Sequence, residues 1–469
     1  MLKDIQDSED TSDSSISSVI TKLQSECDAM HLQISGGKKQ LEETQKELAM
    51  SLYQIDAAKR VVARLLAERD TAIKTLQELK SSDIGREIAI PKQTLRSSLN
   101  EEASSLITEK YSGLSKSRKE KKIPEWAKQK DRKYEYQYIS KFTGDPSYGY
   151  RISALALSTD GEIIGSGRKN GNISLFQKDK KEPIINLEGH SMKINDVSFV
   201  KNMNSLISGS DDQTIRMWKN LEDEEGSQSI LFEKVHESAI VSAQTHPVST
   251  LAISASKDGT WVVYDIDAAG QPRAISSVSS TAQSSSSSSL TFSGRIPFER
   301  ANIHPDGILL GTANANGHIS IWDLKAGTLV ADFDAIGDKL NKSPCTTLIF
   351  SENGFNIASV IGGQLRVWDL RHSKSGVYTP LTYDTLNFTP SDISILRSAA
   401  YDNSGYYIAA CSSTATYTIS TKTWDIRATI PSPDDVPQEL VVQYEDGSGL
   451  LVAKKDGSID LHKKITDLE

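Results

Sequence analysis

EGHSMKINDVSFVKNMNSLISGSDDQTIRMW, residues Glu188 to Trp218, holds the pattern from which the rest of the chain can be read. A Gly-His pair opens the stretch. Two runs with alternating apolar positions follow, each of a length suited to a β-strand. Asp211-Asp212-Gln213-Thr214 is turn chemistry, and Trp218 closes the unit. Outward from this unit, short β-rich runs broken by Gly, Asp and Asn recur from Tyr134 onward. Alignment on the terminal Trp makes Phe176, Trp218, Tyr264, Trp322, Trp368 and His462 equivalent positions. A degenerate unit, RSAAYDNSGYYIAACSSTATYTI, fits between the last two. That makes seven units, a number that closes a β-propeller.

The unit is similar to the WD40 repeat, so the expected fold is an all-β seven-bladed WD40 propeller. His190, Ser208, Asp212 and Trp218 resemble a catalytic set when taken out of context. Within such a repeat they read as a structural tetrad instead. Asp212 fixes the His190 imidazole, which orients Ser208 and the Trp218 ring N–H, so buried polar groups are paired. A second set, His236, Ser254 and Asp258, ends in Tyr264, and Asn170 and Asn316 stand where other units carry Asp. A packing device tolerates such dilution across repeats, whereas an active site does not. His246 and His304 precede prolines at matching places and read as turn chemistry. No P-loop, nucleophile-elbow or zinc-protease motif occurs, so no catalytic residue, metal site or cofactor is expected.

The last unit supplies only three strands, ending near His462. An open edge there would invite aggregation. YEYQYISKF, Tyr134 to Phe142, has strand character and is expected to complete that blade. The propeller therefore spans 134–469. Residues 268–290, with the run Ser284 to Ser289, read as a Ser-rich loop insertion.

Residues 1–15 are polar, and helical periodicity runs over 16–80, with a break expected at Gly36 and Gly37. Leu41, Leu48, Ile55, Val62 and Leu76 fall on a seven-residue repeat that Arg69 interrupts, and Leu52, Leu66 and Ile73 are offset by four. Gln45 and Lys59 are polar exceptions in the second set. Together these make the seam of a long coiled coil for self-assembly. Ala58, Val61 and Leu65 widen the stripe, which favours a tetramer over a dimer. The plainer alternative is a helix folded back on its own propeller. Residues 81–133 read as a linker. Its stretch 116–133 holds nine Lys or Arg against three Asp or Glu, and reads as a solvated tether, a nuclear-import signal or an RNA contact.

The chain has 469 residues, enough for two or three units, and a net charge of −9 that argues against global attraction to nucleic acid or membrane. Three scattered cysteines share no metal-ligand spacing and fit reduced thiols. No signal peptide or membrane span is read in the sequence.

The stretch LEETQKELAMSLYQIDAAKRVVARLLAERD, Leu41 to Asp70, resembles the coiled coil of the pre-mRNA-processing factor 19 family. ANIHPDGILLGTANANGHISIWDLK and FSENGFNIASVIGGQLRVWDLR are similar to its repeats. The resemblance implies a nuclear, tetrameric scaffold of the spliceosome acting in pre-mRNA splicing. It implies partners such as the cell division cycle 5-like protein, and links to DNA repair. It also implies a ubiquitin-ligase activity residing in an N-terminal U-box, with substrates at the propeller. A helix beginning near Ile16 leaves no room for that domain in the sequence as written. Either the gene model is truncated or this member has lost it, and the chain as written is expected not to transfer ubiquitin. The alternative class is a WD40 transcriptional corepressor, which also pairs a tetramerising helix with a propeller.

Overall fold

Ser205–Ser210, Leu251–Ser256 and Gly449–Lys454 are buried at every position. Apolar and small residues therefore point to both faces of these strands, and each sheet must be covered on both sides. The computed structural model describes residues 20–41, 44–46, 48, 98–120, 135–143 and 151–465, the last range apart from 202–203, 222–226, 268–270, 281–294, 316, 335–343, 372–394, 433, 435 and 445–447. Among the described residues lie seven antiparallel sheets, six of four strands and one of three. They are the blades of a propeller, numbered here in chain order from Ile152. The chain divides into two units, Met1–Gln93 and Thr94–Glu469.

Hydrophobic packing lies between blades. Val197, Leu206 and Trp218 of blade 2 pack with Leu175, Ile185 and Leu187 of blade 1. Comparable clusters join each following pair around the ring. The last joins Leu451, Ala453, Ile459 and Leu461 of blade 7 to Ile152, Ile164 and Phe176 of blade 1.

The ring closes through Glu135–Thr143, which pairs antiparallel with Ser458–Ile465 as the outer strand of blade 7. A bulge between Tyr138 and Ser140 shifts the register. Phe142 is thereby buried against Phe176 of blade 1, the ring centroids 5.8 Å apart and edge to face. This places at the edge the strand read at Tyr134 to Phe142.

Strand register puts Phe176, Trp218, Tyr264, Trp322, Trp368 and His462 at one equivalent place, opposite Ile164, Leu206, Ala252, Leu310, Ile357 and Leu450. In blade 6 that place is held by Ile419, opposite Ile408.

Several sequence expectations are corrected. The helix over residues 20–41, α1, runs through Gly36 and Gly37 without a break. Two glycines cost about 1 kcal/mol each relative to alanine, too little to end a helix of this length. Part of the supposed Ser-rich insertion, Arg273–Ser279, is the outer strand of blade 3, because its alternate residues Ala274, Ser276 and Val278 face inward and are buried. Most consequentially, the linker read at 81–133 contains a second helix, α2, Glu101–Glu120. Asn100 caps it by accepting from the Ala103 N–H at 3.0 Å. Leu99, Ala103 and Ile107 lie along one side and join the cluster between blades 3 and 4. The Leu99 N–H donates to the Lys325 carbonyl at 3.1 Å, and Lys325 Nζ donates to Thr108 Oγ1 at 2.6 Å.

The closure and the docked helix predict graded losses on shortening the chain. A version beginning at Thr94 should melt as the full propeller does. One beginning at Lys130 should melt a few degrees lower, because it uncovers the groove under α2. One beginning at Tyr150 loses Phe142 and the outer strand and should be insoluble or severely destabilised. Equal melting temperatures for the last two would show that the strand does not close the ring.

Candidate functional site

Blade 2 shows what its polar side chains do. His190 Nδ1 lies 2.8 Å from Asp212 Oδ2, and His190 Nε2 lies 2.8 Å from Ser208 Oγ. The Trp218 ring N–H donates to the same Ser208 Oγ at 2.8 Å. Asp212 also accepts from Thr214 Oγ1 at 2.6 Å and from the Ser191 N–H at 3.0 Å. Burial alone would raise the Asp212 carboxyl, but bonds from His190, Thr214 and Ser191 hold it well below the usual carboxylate range. Ser208 is fully buried and already engages both His190 and Trp218. The set lacks the exposed hydroxyl that nucleophilic chemistry needs. Removing Asp212 would leave buried donors unpaired, at a cost of about 1–3 kcal/mol.

Blade 3 repeats the arrangement with His236, Asp258, Ser254 and Thr260. In blade 1, Asn170 Oδ1 accepts from the Asn172 N–H at 3.2 Å, an Asx turn at the Asp position. Asn316 lies outside the described residues. Blade 7 rebuilds the corner with ions. Asp434 and Asp456 occupy the places of His190 and Asp212. Lys454 and Asp460 are both fully buried, 2.5 Å apart, and Lys454 also reaches Asp434 at 3.3 Å. Breaking such a pair by removing one partner costs about 3–5 kcal/mol.

The inner strands carry polar groups that tie one blade to the next. Asp196 of blade 2 accepts from the Ala243 N–H of blade 3 at 3.0 Å. Burial raises its carboxyl to about 6, against the pull of that bond and of Arg300. Ser242 accepts from the Ala301 N–H, and Asn302 from the Phe350 N–H, carrying the chain of bonds onward. Arg300 donates from Nε to the Thr346 carbonyl at 2.9 Å. Glu439 pairs with both Arg151 and Arg397. Composition did not reveal these roles, although charged residues recurring in inner strands were visible in the sequence.

His246 and His304 do more than shape turns. His246 Nε2 lies 2.7 Å from the Gly307 carbonyl of the next blade, and His304 Nε2 lies 3.0 Å from that of Gly354. The Val248 N–H donates to His246 Nδ1 at 3.1 Å, which fixes Nε2 as the protonated nitrogen. Gly307 has φ +73°, and a Cβ there would sit 2.6 Å from the His246 ring. Only glycine lets the turn approach this closely.

Of the expected assembly seam, Leu41 and Leu48 are described and exposed in the single chain, 58% and 61% respectively. Leu52, Ile55, Val62, Leu66, Ile73 and Leu76 lie outside the described residues. Ile20, Leu23, Met30, Leu32 and Ile34 are exposed as well. Among the described residues no cluster of His, Cys, Asp or Glu is suited to a metal ion, and no helix is long and apolar enough to cross a membrane. The described residues thus form a closed ring of blades and a helix, α1, with exposed apolar side chains.

The Prp19/Pso4-like family profile matches residues 12–79, and the WD40 profile (WD domain, G-beta repeat) matches 181–219 and 228–265. The chain is 28% identical to pre-mRNA-processing factor 19 homolog 2 of Arabidopsis thaliana, over 97% of this chain and 84% of that protein. It is 29% identical to pre-mRNA-processing factor 19 of Oryza sativa subsp. japonica, over 96% and 84%, and to the Homo sapiens protein of that name, over 71% and 66%. Among solved structures, the Cps50 (Swd1) β-propeller domain of Myceliophteria thermophila matches with TM-score 0.53 and 14% identity, over 70% of this chain and 99% of that one. That likeness shows the propeller fold.

The buried histidines predict a pH dependence. Burial lowers His246 to about 4, and burial together with Lys454 lowers His462 to about 4, from an ordinary 6.5. Both are neutral in the folded protein. Their contribution is fully present above pH 6.5 and is lost as pH falls from 6.5 toward 4, by at most about 1.4 kcal/mol per pH unit for each. Asp196, raised by burial, acts in the opposite direction over part of that range. The His246 share is isolated by His246→Gln, which does not titrate. Thermal melts between pH 7 and 5 should show a shallower decline for the variant. Identical slopes would contradict the burial of a neutral His246 between the blades.

Proposed function

We propose that this chain is a member of the pre-mRNA-processing factor 19 family and acts in the nucleus as an oligomeric scaffold in pre-mRNA splicing. One observation carries the reading: a Prp19/Pso4-like segment at 12–79 stands ahead of a closed propeller whose best-formed polar sets are engaged within blades and between them. The helical segment is the self-association element, and its seam runs through Leu41, Leu48, Leu52, Ile55, Val62, Leu66, Ile73 and Leu76. Exposed leucines on α1 support this, since each contributes roughly 1.5–3 kcal/mol when buried. The tetrad of His190, Ser208, Asp212 and Trp218 maintains the blade and takes no part in a reaction. Partners are spliceosomal proteins, of which the cell division cycle 5-like protein is one candidate, and the propeller supplies binding surface. The match at 12–79 favours this over the corepressor reading.

The test joins assembly to function. In sedimentation, the full chain should form a tetramer. Leu48→Asp combined with Leu52→Asp and Ile55→Asp should yield monomers with an unchanged propeller melt. Purified from nuclear extract, the intact chain should bring down spliceosomal RNA, and the triple variant should bring down at least tenfold less. A monomeric wild type, or recovery of DNA-binding repressors without spliceosomal RNA, would overturn the reading.

A further inference from the structure

The groove under α2 has a counterpart two blades away. Under α2, Leu99, Ala103 and Ile107 lie in one packed cluster with Leu251 and Ile275 of blade 3 and Leu324 of blade 4. Strand register identifies the equivalent residues around blades 1 and 2. Leu251 pairs with Asp265 as Ile163 pairs with Gln177. Ile275 sits in the bulge of its outer strand, where Ile184 sits in the outer strand of blade 1. The third position is not matched by register, since Leu324 lies two residues past Trp322 and Leu221 three past Trp218, but each leucine is buried in the same cluster as its tryptophan. Two equivalent apolar positions and a nearby buried leucine therefore line both grooves.

The two grooves differ in cover at the first of these positions. Leu251, in the groove with the helix, is 2% exposed. Its equivalent Ile163, in the other, is half-buried, whereas Ile275 and Ile184 are half-buried alike. Ile163 and Ile184 border an open groove of about 830 Å³ that also reaches Pro183 and Leu221. Its rim carries charges of both signs, Glu162 facing the groove from one turn and Lys180 from another. A half-exposed apolar floor with a polar rim is the form of a site that buries one face of an amphipathic helix.

We propose that the groove between blades 1 and 2 is a second helix-docking site. Its occupant is an amphipathic helix of a partner protein bearing apolar side chains at i, i+4 and i+8, the spacing of Leu99, Ala103 and Ile107. The helix seated in the equivalent groove is what specifies this occupant. The proposal deepens the scaffold reading by naming a surface and a partner chemistry. Its test uses the isolated full chain, so it stands or fails independently of the RNA recovery.

The probe is a fluorescein-labelled synthetic peptide of residues 98–120, SLNEEASSLITEKYSGLSKSRKE, titrated with the full chain and followed by anisotropy. The groove between blades 3 and 4 already holds α2, tethered in the same chain at high effective concentration, so the peptide should bind once per chain at the open groove. Ile184→Glu should weaken binding at least tenfold, and a peptide with Asp in place of Leu99, Ala103 and Ile107 should not bind. Hydrogen exchange on the unmutated chain gives a second reading that does not depend on the variant's folding. Peptide should slow the amides of Lys180–Ile184. No saturable binding, binding unaffected by Ile184→Glu, or protection appearing at Asp323–Gly327 instead would overturn the proposal.

Discussion

Each blade covers its neighbour's apolar face, and no blade can cover its own. The rest of the propeller depends on this constraint. Strands such as Ser205–Ser210 are buried on both sides because two other blades lie against them. Hydrophobic burial is roughly proportional to the apolar area removed from water, so a ring with one missing contact exposes two faces at once. The chain meets the constraint by bringing Glu135–Thr143, from before the first blade, into the last one. Phe142 then links that strand to blade 1 through Phe176.

Polar chemistry serves the same end. A buried donor or acceptor without a partner costs more than a typical hydrogen bond contributes, so polar groups placed between blades are favoured where they are matched. His190, Ser208, Asp212 and Trp218 match one another within a blade corner. Asp196, Ser242 and Asn302 each accept from the backbone of the following blade. Blade 7 solves its corner with Lys454 and Asp460 in place of the histidine set. The blade that closes the ring thus holds a fully buried ion pair, which is sensitive to loss of either partner. With these groups engaged internally, the molecule offers partners shape and apolar grooves.

Much of this was legible in the sequence because repetition amplifies weak signals. One clear unit, Glu188 to Trp218, makes Tyr264 and His462 readable as substitutes for Trp. Ile419 escaped because an isoleucine at that place looks like any other strand residue, and only register identifies it. The helix α2 escaped for a different reason. Its buried side reduces to Ala103 and Ile107, with Leu99 just before it, among Ser, Lys and Glu, so its composition matches a solvated tether. The groove that receives it is assembled from two blades and has no local sequence signature. Arg273–Ser279 was merged with the serine-rich stretch after it because small residues face inward there. Blade-bridging by His246 was hidden for the same reason as the groove, since its partner Gly307 lies in another repeat.

The interlocked ring is a platform on which α2 is already seated. If the blades hold one another in place, they must open together. Native-state hydrogen exchange with increasing denaturant, read at individual amides, measures this directly. The account predicts that Phe142 and Ile459 at the closure, and Ile207 and Ile253 in blades 2 and 3, converge on one opening free energy. Clearly lower protection at Phe142 and Ile459, with Ile207 and Ile253 still closed, would contradict it.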